Sequence, residues 1–492
     1  MERVDYLILG AGPAGLTFAN LLKRNCPGKS FLVLEKEQEA GGLCRSKNVD
    51  GSPLDIGGGH FLDVRRPKVN EFLFSFMPEE EWNVYDRDSR IDMGTYEIGH
   101  PFEANIWQMP QEEQVKYLKS IAIAGCNLDQ PKPERFVEWI TWKLGEKIAE
   151  AYMLPYNGKM FGGELDSLGT YWLEKLPNVS FEETLLSCLN RKPYGTQPGH
   201  ARFYYPKKYG YGELWLRMAE ALGDRIKYNA TVKGMNLSQK TVTCADGSTY
   251  AAETIITTIP WKSISEFTGA DDAFLSCVQA LKHTGTEIRY CEETLDTKAH
   301  WIYVPSEEKA HHRILVRSNF CEGSKGYWLE TNLNRLSLMD GSVPKKTRDG
   351  EQAAYANEYT YPLNTIDKPE KIKEILSFAK ERGVIGLGRW GEHEHYNSDR
   401  TVERAMELFA DLEHDNGLVH PNGIHLVSRL QLSTFADNAF HLAIAFFFDG
   451  IHDQVHAFSL RLALIKEIAI FLTDFFELFQ ILFFVRIPST FL

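Results

Sequence analysis

The opening stretch of the chain limits its fold more tightly than any other part. Val4-Asp5-Tyr6-Leu7-Ile8-Leu9 is a short aliphatic run, the pattern of a strand covered on both faces of a parallel sheet. Gly10-Ala11-Gly12-Pro13-Ala14-Gly15 follows, and apolar residues then recur at helical spacing through Arg24. In a strand–turn–helix each of these glycines has a separate task. Gly10 permits the tight turn, Gly12 lets backbone approach a pyrophosphate, and Gly15 brings the helix close to the strand. A phosphate would rest on the N–H groups at the helix start, beside Pro13 and Ala14. A second run, Phe31-Leu32-Val33-Leu34, ends in Glu35, twenty positions after Gly15. A carboxylate there accepts from both ribose hydroxyls and repels a 2′-phosphate. The glycine pattern alone is weak. Strand, glycines, helix, strand and acid in register predict a Rossmann-like dinucleotide-binding unit.

The residues that follow bear on which dinucleotide is bound. Lys36-Glu37-Gln38-Glu39-Ala40-Gly41-Gly42-Leu43-Cys44-Arg45-Ser46 resembles the extension of flavoproteins such as amine oxidases and sugar mutases, in which a Gly-Gly pair follows the ribose-binding acid. Nicotinamide dehydrogenases usually lack it. Gly-Gly followed by arginine suits backbone lying close to a dinucleotide, with a cation near its phosphates. Lys36, Gly42, Leu43 and Arg45 therefore join the expected cofactor contacts, and FAD is the expected cofactor.

The chain has 492 residues, 43% hydrophobic and 25% charged, enough for two or three packed units of ordinary globular composition. A net charge of −13 argues against nucleic-acid binding, which needs a basic face. Eight cysteines without a C-x-x-C pair offer neither a zinc site nor a disulfide framework. They suggest a reducing compartment, so a cytoplasmic location is expected. The first strand begins at once, so no signal peptide is expected.

Farther along, Gly57-Gly58-Gly59-His60 suggests backbone passing close to a flat ligand, with His60 delivered to its face. A helix is expected near Pro110, and the pattern from Glu134 to about Leu189 is mostly helical, with Phe136, Trp139, Ile140, Leu144 and Ile148 as a core face. Pro155-Tyr156-Asn157-Gly158-Lys159-Met160-Phe161 reads as a break in that run and a pocket wall, and Pro177 as another break. Ile226-Lys227-Tyr228 and Thr241-Val242-Thr243 read as a hairpin, and Glu253–Thr258 as a return to the parallel sheet. His300–Val304 and Arg313–Val316 read as strands of a second, antiparallel sheet. Gly388-Arg389, then Asn397-Ser398-Asp399 before a helix over Val402–Phe409, make a second anion cradle at a helix start. Glu392, His393, Glu394 and His395 do not make a metal site. On an extended chain the histidines and the acids point to opposite faces, and no third ligand stands at ordinary spacing.

Together these pieces resemble the UDP-galactopyranose mutase family over residues 1 to about 412. Besides the FAD fingerprint, the matching stretches are Gly58-Gly59-His60, His100-Pro101-Phe102-Glu103-Ala104-Asn105, Pro155-Tyr156-Asn157-Gly158-Lys159, His311-His312-Arg313, Tyr361-Pro362-Leu363-Asn364, and Gly388-Arg389 through Asn397-Ser398-Asp399. The resemblance implies an α/β protein: a Rossmann-like FAD-binding domain with a helical insert and an antiparallel β-sheet substrate domain. It implies isomerisation of a nucleotide sugar, in which reduced flavin N5 attacks the anomeric carbon, UDP leaves, and the ring opens and recloses through a different hydroxyl. NAD(P)H is a possible reductant. By the resemblance, His60 and Gly59 lie against the flavin, and Arg313 with Tyr361 holds the substrate diphosphate. Phe102, Asn157 and Phe161 contact nucleotide or sugar, while Gly388, Arg389, Asn397, Ser398 and Asp399 meet flavin phosphate and ribityl. The implied catalytic set is His60, Arg313 and Lys175.

Some positions depart from the family. Lys175 stands where an arginine is common, His393 and His395 where an aromatic and a tyrosine are common, and Glu103 interrupts a run of amides. His395 still counts among the substrate contacts. An FAD-dependent oxidoreductase of the amine oxidase or protoporphyrinogen oxidase type is the alternative reading, and a flavin-bound protein without catalysis a third. The expected division places residues 1–65, 203–265 and 375–415 in the FAD-binding domain. It places 108–202 in the helical insert, and 66–107 with 266–374 in the sheet domain. Residues 416–492 are unassigned. Their apolar run Leu462 to Val485 carries Lys466, Glu467, Asp474 and Glu477, too many charges for a membrane span. A buried or partner-covered helix is favoured there over a membrane-surface one.

Overall fold

The computed structural model describes residues 2–125, 129–173, 180–194, 201–339, 341 and 343–415. Cys126, Lys175, the break expected at Pro177 and the tail 416–492 lie outside the described residues.

Strand β1 (Glu2–Leu9), helix α1 (Pro13–Asn25) and strand β2 (Phe31–Leu34) form where the sequence places them. Among the described residues β1 lies inside an eight-stranded sheet, parallel to β2 on one side and to Thr249–Thr257 on the other. Successive side chains of a strand point to opposite faces, and here both faces are covered. Tyr6 and Ile8 pack on the α1 side with Phe18 and Phe409, while Leu7 and Leu9 pack on the other with Ile372 and Ile375. Each fully buried aliphatic side chain of this kind contributes about 1.5–3 kcal/mol.

Strand Thr249–Thr257 changes neighbours along its far side. Its first half pairs antiparallel with Thr241–Cys244, and its second half parallel with Val384–Gly386. Segments far apart in sequence therefore end at one level: Leu9 lies opposite Leu34 and Thr257, and Thr257 opposite Gly386. Their following loops all emerge at the carboxyl edge, where open α/β sheets bind ligands.

The hairpin expected between residues 226–228 and 241–243 is different in the structure. Ile226–Lys227 runs parallel to β2 at the sheet edge, and the partner of Thr241–Cys244 is Val232–Asn236. Alternation marks a strand without marking what it pairs with. Arg202–Pro206 pairs with Leu62–Asp63, from the first of the expected FAD-binding segments, and with Trp82–Asp86 in a three-stranded sheet.

A seven-stranded sheet has the order Ala354–Pro362, His283–Cys291, Tyr327–Asn332, Arg313–Leu315, Trp301–Tyr303, Ser89–Asp92, Glu97–Gly99. Its neighbours are antiparallel except Trp301–Tyr303 with Ser89–Asp92, a parallel pair joined only through a long excursion of the chain. Helices Gln111–Gly125, Phe136–Leu144, Leu154–Met160 and Phe181–Asn190 belong to that excursion. The break expected at Pro155 is not there. Leu154–Met160 is helical, entered through a π turn at Ala149–Met153, with Pro155 in its first turn. The chain is already helical before Pro155, and the π turn is the place where the regular i→i−4 ladder gives way and a residue without an N–H is accommodated. Among the described residues no helix is long and apolar enough to cross a membrane, and the described cysteines are free thiols.

Candidate functional site

The loops at the carboxyl edge enclose a cavity of about 460 Å³. Gly10, Gly12, Pro13 and Ala14 line it from the first loop, Glu35 and Lys36 from the second, and Gly42, Leu43 and Arg45 from the Gly-Gly turn. Gly15 lies beneath: a Cβ there would sit 2.0 Å from the Gly10 carbonyl oxygen, so the turn itself demands glycine. At Gly12 the situation is the reverse. An added Cβ would meet only the Cα of Gly42, at 3.8 Å, so what it would fill is the cavity. Open backbone at a helix start, facing a second glycine, fits the pyrophosphate of a dinucleotide.

Glu35 has a second task besides lining this space. It is buried, and its Oε2 accepts the N–H of Ala11 at 2.7 Å while Oε1 accepts that of Glu37 at 3.0 Å. Burial raises its pKa, and the two donors oppose that rise. Arg45 donates from Nε to the Gly42 carbonyl at 2.9 Å and pairs with Glu37 at 3.2 Å.

The glycine run before His60 is pressed from two sides. A Cβ on Gly57 would lie 1.9 Å from the Leu43 carbonyl oxygen, and one on Gly59 2.1 Å from Cδ2 of Leu315. Asn357 donates to the Ile56 carbonyl at 2.7 Å, and Glu330 Oε1 accepts the N–H of Gly59 at 3.1 Å. His60 is thereby held in the wall of the long cavity and also of a second chamber, about 160 Å³ in volume. Gly59, Arg87, Trp301, Tyr303, Arg313 and Asn397 line the chamber too, and Ser398 lines both spaces.

Arg313 reaches the chamber from its strand. Its Nε and Nη2 lie 2.6 and 2.5 Å from Oε2 of Glu330, and Nη2 lies 3.4 Å from the Tyr361 hydroxyl. Burial opposes its charge, but Glu330 prevails and holds the guanidinium pKa above its usual value. His312, fully buried and 3.7 Å from Glu330, is pushed well below the imidazole range by burial and then by Arg313. Sequence reasoning missed both Glu330 and Arg87. For Glu330 a signal existed: an acid inside the apolar-rich strand Tyr327–Asn332 is costly unless a cation meets it.

Arg389 lines the long cavity, and its donors also serve the backbone. Nε and Nη2 donate to the Tyr396 carbonyl at 2.8 and 2.6 Å, and Nη1 to that of Thr360 at 2.9 Å. Thr360 stands in a bulge, where the register shifts between the pairs Thr284–Tyr361 and Thr286–Asn357, and Asn357, Glu358 and Tyr359 protrude into the cavity wall. Gly388 takes φ +74 under this wall, with its N–H donated to Glu392 at 3.0 Å. Asp399, expected at the ribityl, lines neither space. It is buried in the first turn of helix Ser398–Asp415 and accepts from Arg66 Nε at 2.6 Å.

Other expected contacts prove to be packing. Phe102 lies in the core between Tyr117 and Tyr152, Phe161 packs against Trp172, and Asn157 donates to the Met153 carbonyl at 2.7 Å within its own helix. None of the three lines either space; a motif gives the place of a side chain in the chain but not its direction. The His395 ring lies 5.0 Å from that of Tyr361, which joins it to the Arg313 group. The alternating faces expected over residues 392–395 do not occur, because His393 takes φ 51 and turns the chain. His393 is buried with Nε2 3.0 Å from the Lys282 carbonyl, and burial pushes its pKa down to about 3. Glu392 pairs with Arg404 and Glu394 with Lys368, each at 2.8 Å. Among the described residues no group of His, Cys, Asp and Glu is placed to hold a metal ion.

Residues 8–76 match the family described as the NAD(P)-binding Rossmann-like domain. The human all-trans-retinol 13,14-reductase is 23% identical over 217 residues, 41% of this chain and 34% of that protein. The UDP-galactopyranose mutase of Mycoplasma pneumoniae is 30% identical over 100 residues, 19% of this chain and 24% of that protein. The chain thus spans about a third or less of the retinol reductases it matches. Among solved structures, reduced UDP-galactopyranose mutase superposes with a TM-score of 0.76 at 22% identity, over 85% of this chain and 95% of that one. A putative protoporphyrinogen oxidase from Exiguobacterium superposes with a TM-score of 0.61 at 15% identity, over 84% and 99%. The chain has the fold that these proteins share.

Proposed function

We propose that the protein is an FAD-dependent enzyme that isomerises a nucleotide sugar. The observation that carries this reading is the junction at His60, where a cavity suited to a dinucleotide adjoins a chamber with two arginines in its wall. The fold it shares with UDP-galactopyranose mutase supports the same reading. Gly12, Gly42 and the start of α1 would take the pyrophosphate of FAD, and Glu35 its ribose. When bound and reduced, FAD supplies a nucleophile for the anomeric carbon.

This chain's own residues would bind and orient the substrate. Arg313, kept charged by Glu330, retains N–H groups for a phosphate oxygen of the leaving diphosphate. Tyr361 steadies its fork, and His395 stands against that phenol. Phe61 and Trp301 stack at 5.1 Å in the chamber wall and give the substrate an apolar face to rest on.

The test mixes dithionite-reduced, FAD-loaded protein with UDP-galactopyranose and follows the ring form of the sugar by chromatography. Interconversion without net redox change is the expected result. Consumption of oxygen or another acceptor in step with an amine or porphyrinogen would place the enzyme with the oxidases instead. Flavin that reduces yet turns over neither substrate would leave a binding protein.

A further inference from the structure

We propose that Tyr303 gives a proton to the sugar as its ring opens and takes one back as the ring recloses. This rests on the nucleotide-sugar reading and adds a catalytic residue to it. Tyr303 lines the chamber beside His60, and its hydroxyl oxygen already accepts from two donors. Nη2 of Arg87 donates to it at 2.9 Å and Nε1 of Trp301 at 3.1 Å. An indole N–H and a guanidinium only donate, whereas a phenol has two lone pairs and one proton. Both lone pairs are therefore filled, and the proton has to point elsewhere. Among the described residues no acceptor takes it. Arg87 and Trp301 line the chamber as well, which leaves the O–H for a substrate oxygen there.

The same two donors suit the group that remains once the proton has left. A phenolate in that place keeps both N–H bonds and has the charge of Arg87 beside it, with Arg313 as its cross-strand neighbour. The phenols nearby are placed differently. The rings of Tyr156 and Tyr152 lie 5.2 and 6.5 Å from that of Tyr303, and burial drives both pKa values well above the phenol range, so they keep their protons. The ring of His100 lies at 4.7 Å, and burial and then Arg87 hold it well below the imidazole range. The arginines of the wall stay charged at any ordinary pH. His60, the other titratable group of the wall, stands at the junction with the long cavity.

On opening, the bond between the anomeric carbon and the ring oxygen breaks, its electron pair stays on the oxygen, and the Tyr303 proton lands there. On reclosure a different hydroxyl bonds to that carbon, and the proton it sheds returns to the phenolate oxygen. The pair the carbon loses is lent by the nucleophile of the proposed reaction and given back on closure, so protons and electrons balance over one turnover. An alkoxide is a much stronger base than a phenolate, and the first transfer runs downhill.

Tyr303→Phe removes one oxygen and keeps the ring. With dithionite-reduced, FAD-loaded protein and UDP-galactopyranose, kcat should fall by about a hundredfold or more, the usual share of a general acid and base. UDP affinity by calorimetry and flavin content should stay as in wild type. Replacing Tyr303 by 3-fluorotyrosine, a more acidic phenol, should move the alkaline limb of the kcat profile to lower pH. An undiminished kcat in Tyr303→Phe overturns the proposal. So does a Tyr303→Phe protein that binds UDP more weakly, which would put the phenol on the diphosphate. Should Tyr303→Phe not fold, the fluorotyrosine protein carries the test, and an alkaline limb that does not move overturns the proposal. Wild type that does not isomerise the sugar is a different result, and it removes the nucleotide-sugar reading and this proposal with it.

Discussion

Oε2 of Glu330 accepts from Nε of Arg313 at 2.6 Å, and both groups lie on neighbouring strands of the seven-stranded sheet, directly opposite each other. The other oxygen of the same carboxylate accepts the N–H of Gly59. One buried acid therefore sets both the cation of the chamber and the loop that presents His60.

Glu330→Ala should destabilise the protein by about 3–5 kcal/mol, the usual cost of stranding one member of a buried ion pair. Urea unfolding measures it. Glu330→Gln keeps an acceptor for Gly59 and should lose less. Equal stability of Glu330→Ala and wild type would mean that solvent, not Glu330, balances Arg313.

The glycines at positions 12 and 15 should respond oppositely to the same methyl group. Gly15→Ala places a Cβ 2.0 Å from a carbonyl oxygen and should not yield folded protein. Gly12→Ala meets no protein atom closer than 3.8 Å, so the apoprotein should keep its thermal midpoint. Its flavin absorbance after purification should fall. Full flavin occupancy in Gly12→Ala would move the pyrophosphate elsewhere.

Acid should weaken the fold through its buried histidines. Burial lowers the pKa of His393 to about 3 and of His311 to about 4, from 6.5. Between those values and 6.5 the unfolded chain binds protons that the folded chain does not, so unfolding free energy drops as pH falls. At pH 5 each such histidine costs about 2 kcal/mol relative to neutral pH. Asp55, raised to about 7 by burial, acts with the opposite sign in this window. The measurement is therefore a comparison: urea midpoints at pH 7.5 and 5 for wild type and His393→Asn. The variant should lose less stability on acidification, and parallel losses would remove His393 from the effect.

Arg389→Lys should release the bulge that lines the long cavity. A lysine cannot reach the Thr360 and Tyr396 carbonyls together as the guanidinium does. Lower flavin retention, along with a lower thermal midpoint, is the expected outcome. Loss of flavin at an unchanged midpoint would instead make Arg389 chiefly a cofactor contact.

What the sequence by itself determined about this protein is the part whose physics is local. β1, α1, β2, Glu35 and the open backbone at Gly12 follow from apolar spacing and from what a missing Cβ permits, all within the first thirty-five residues. The return of Thr249–Thr257 to the parallel sheet was legible for the same reason. Only the tertiary structure decided which distant groups meet. Arg313 finds Glu330 through strand register, Arg87 enters the chamber by lying over Trp301, and Arg389 reaches Thr360 because a bulge turns that carbonyl outward. Direction was equally hidden. Phe102, Phe161 and Asp399 sit in motif positions yet point into the fold. Rotamer and register depend on neighbours supplied from elsewhere in the chain, and no local pattern carries them.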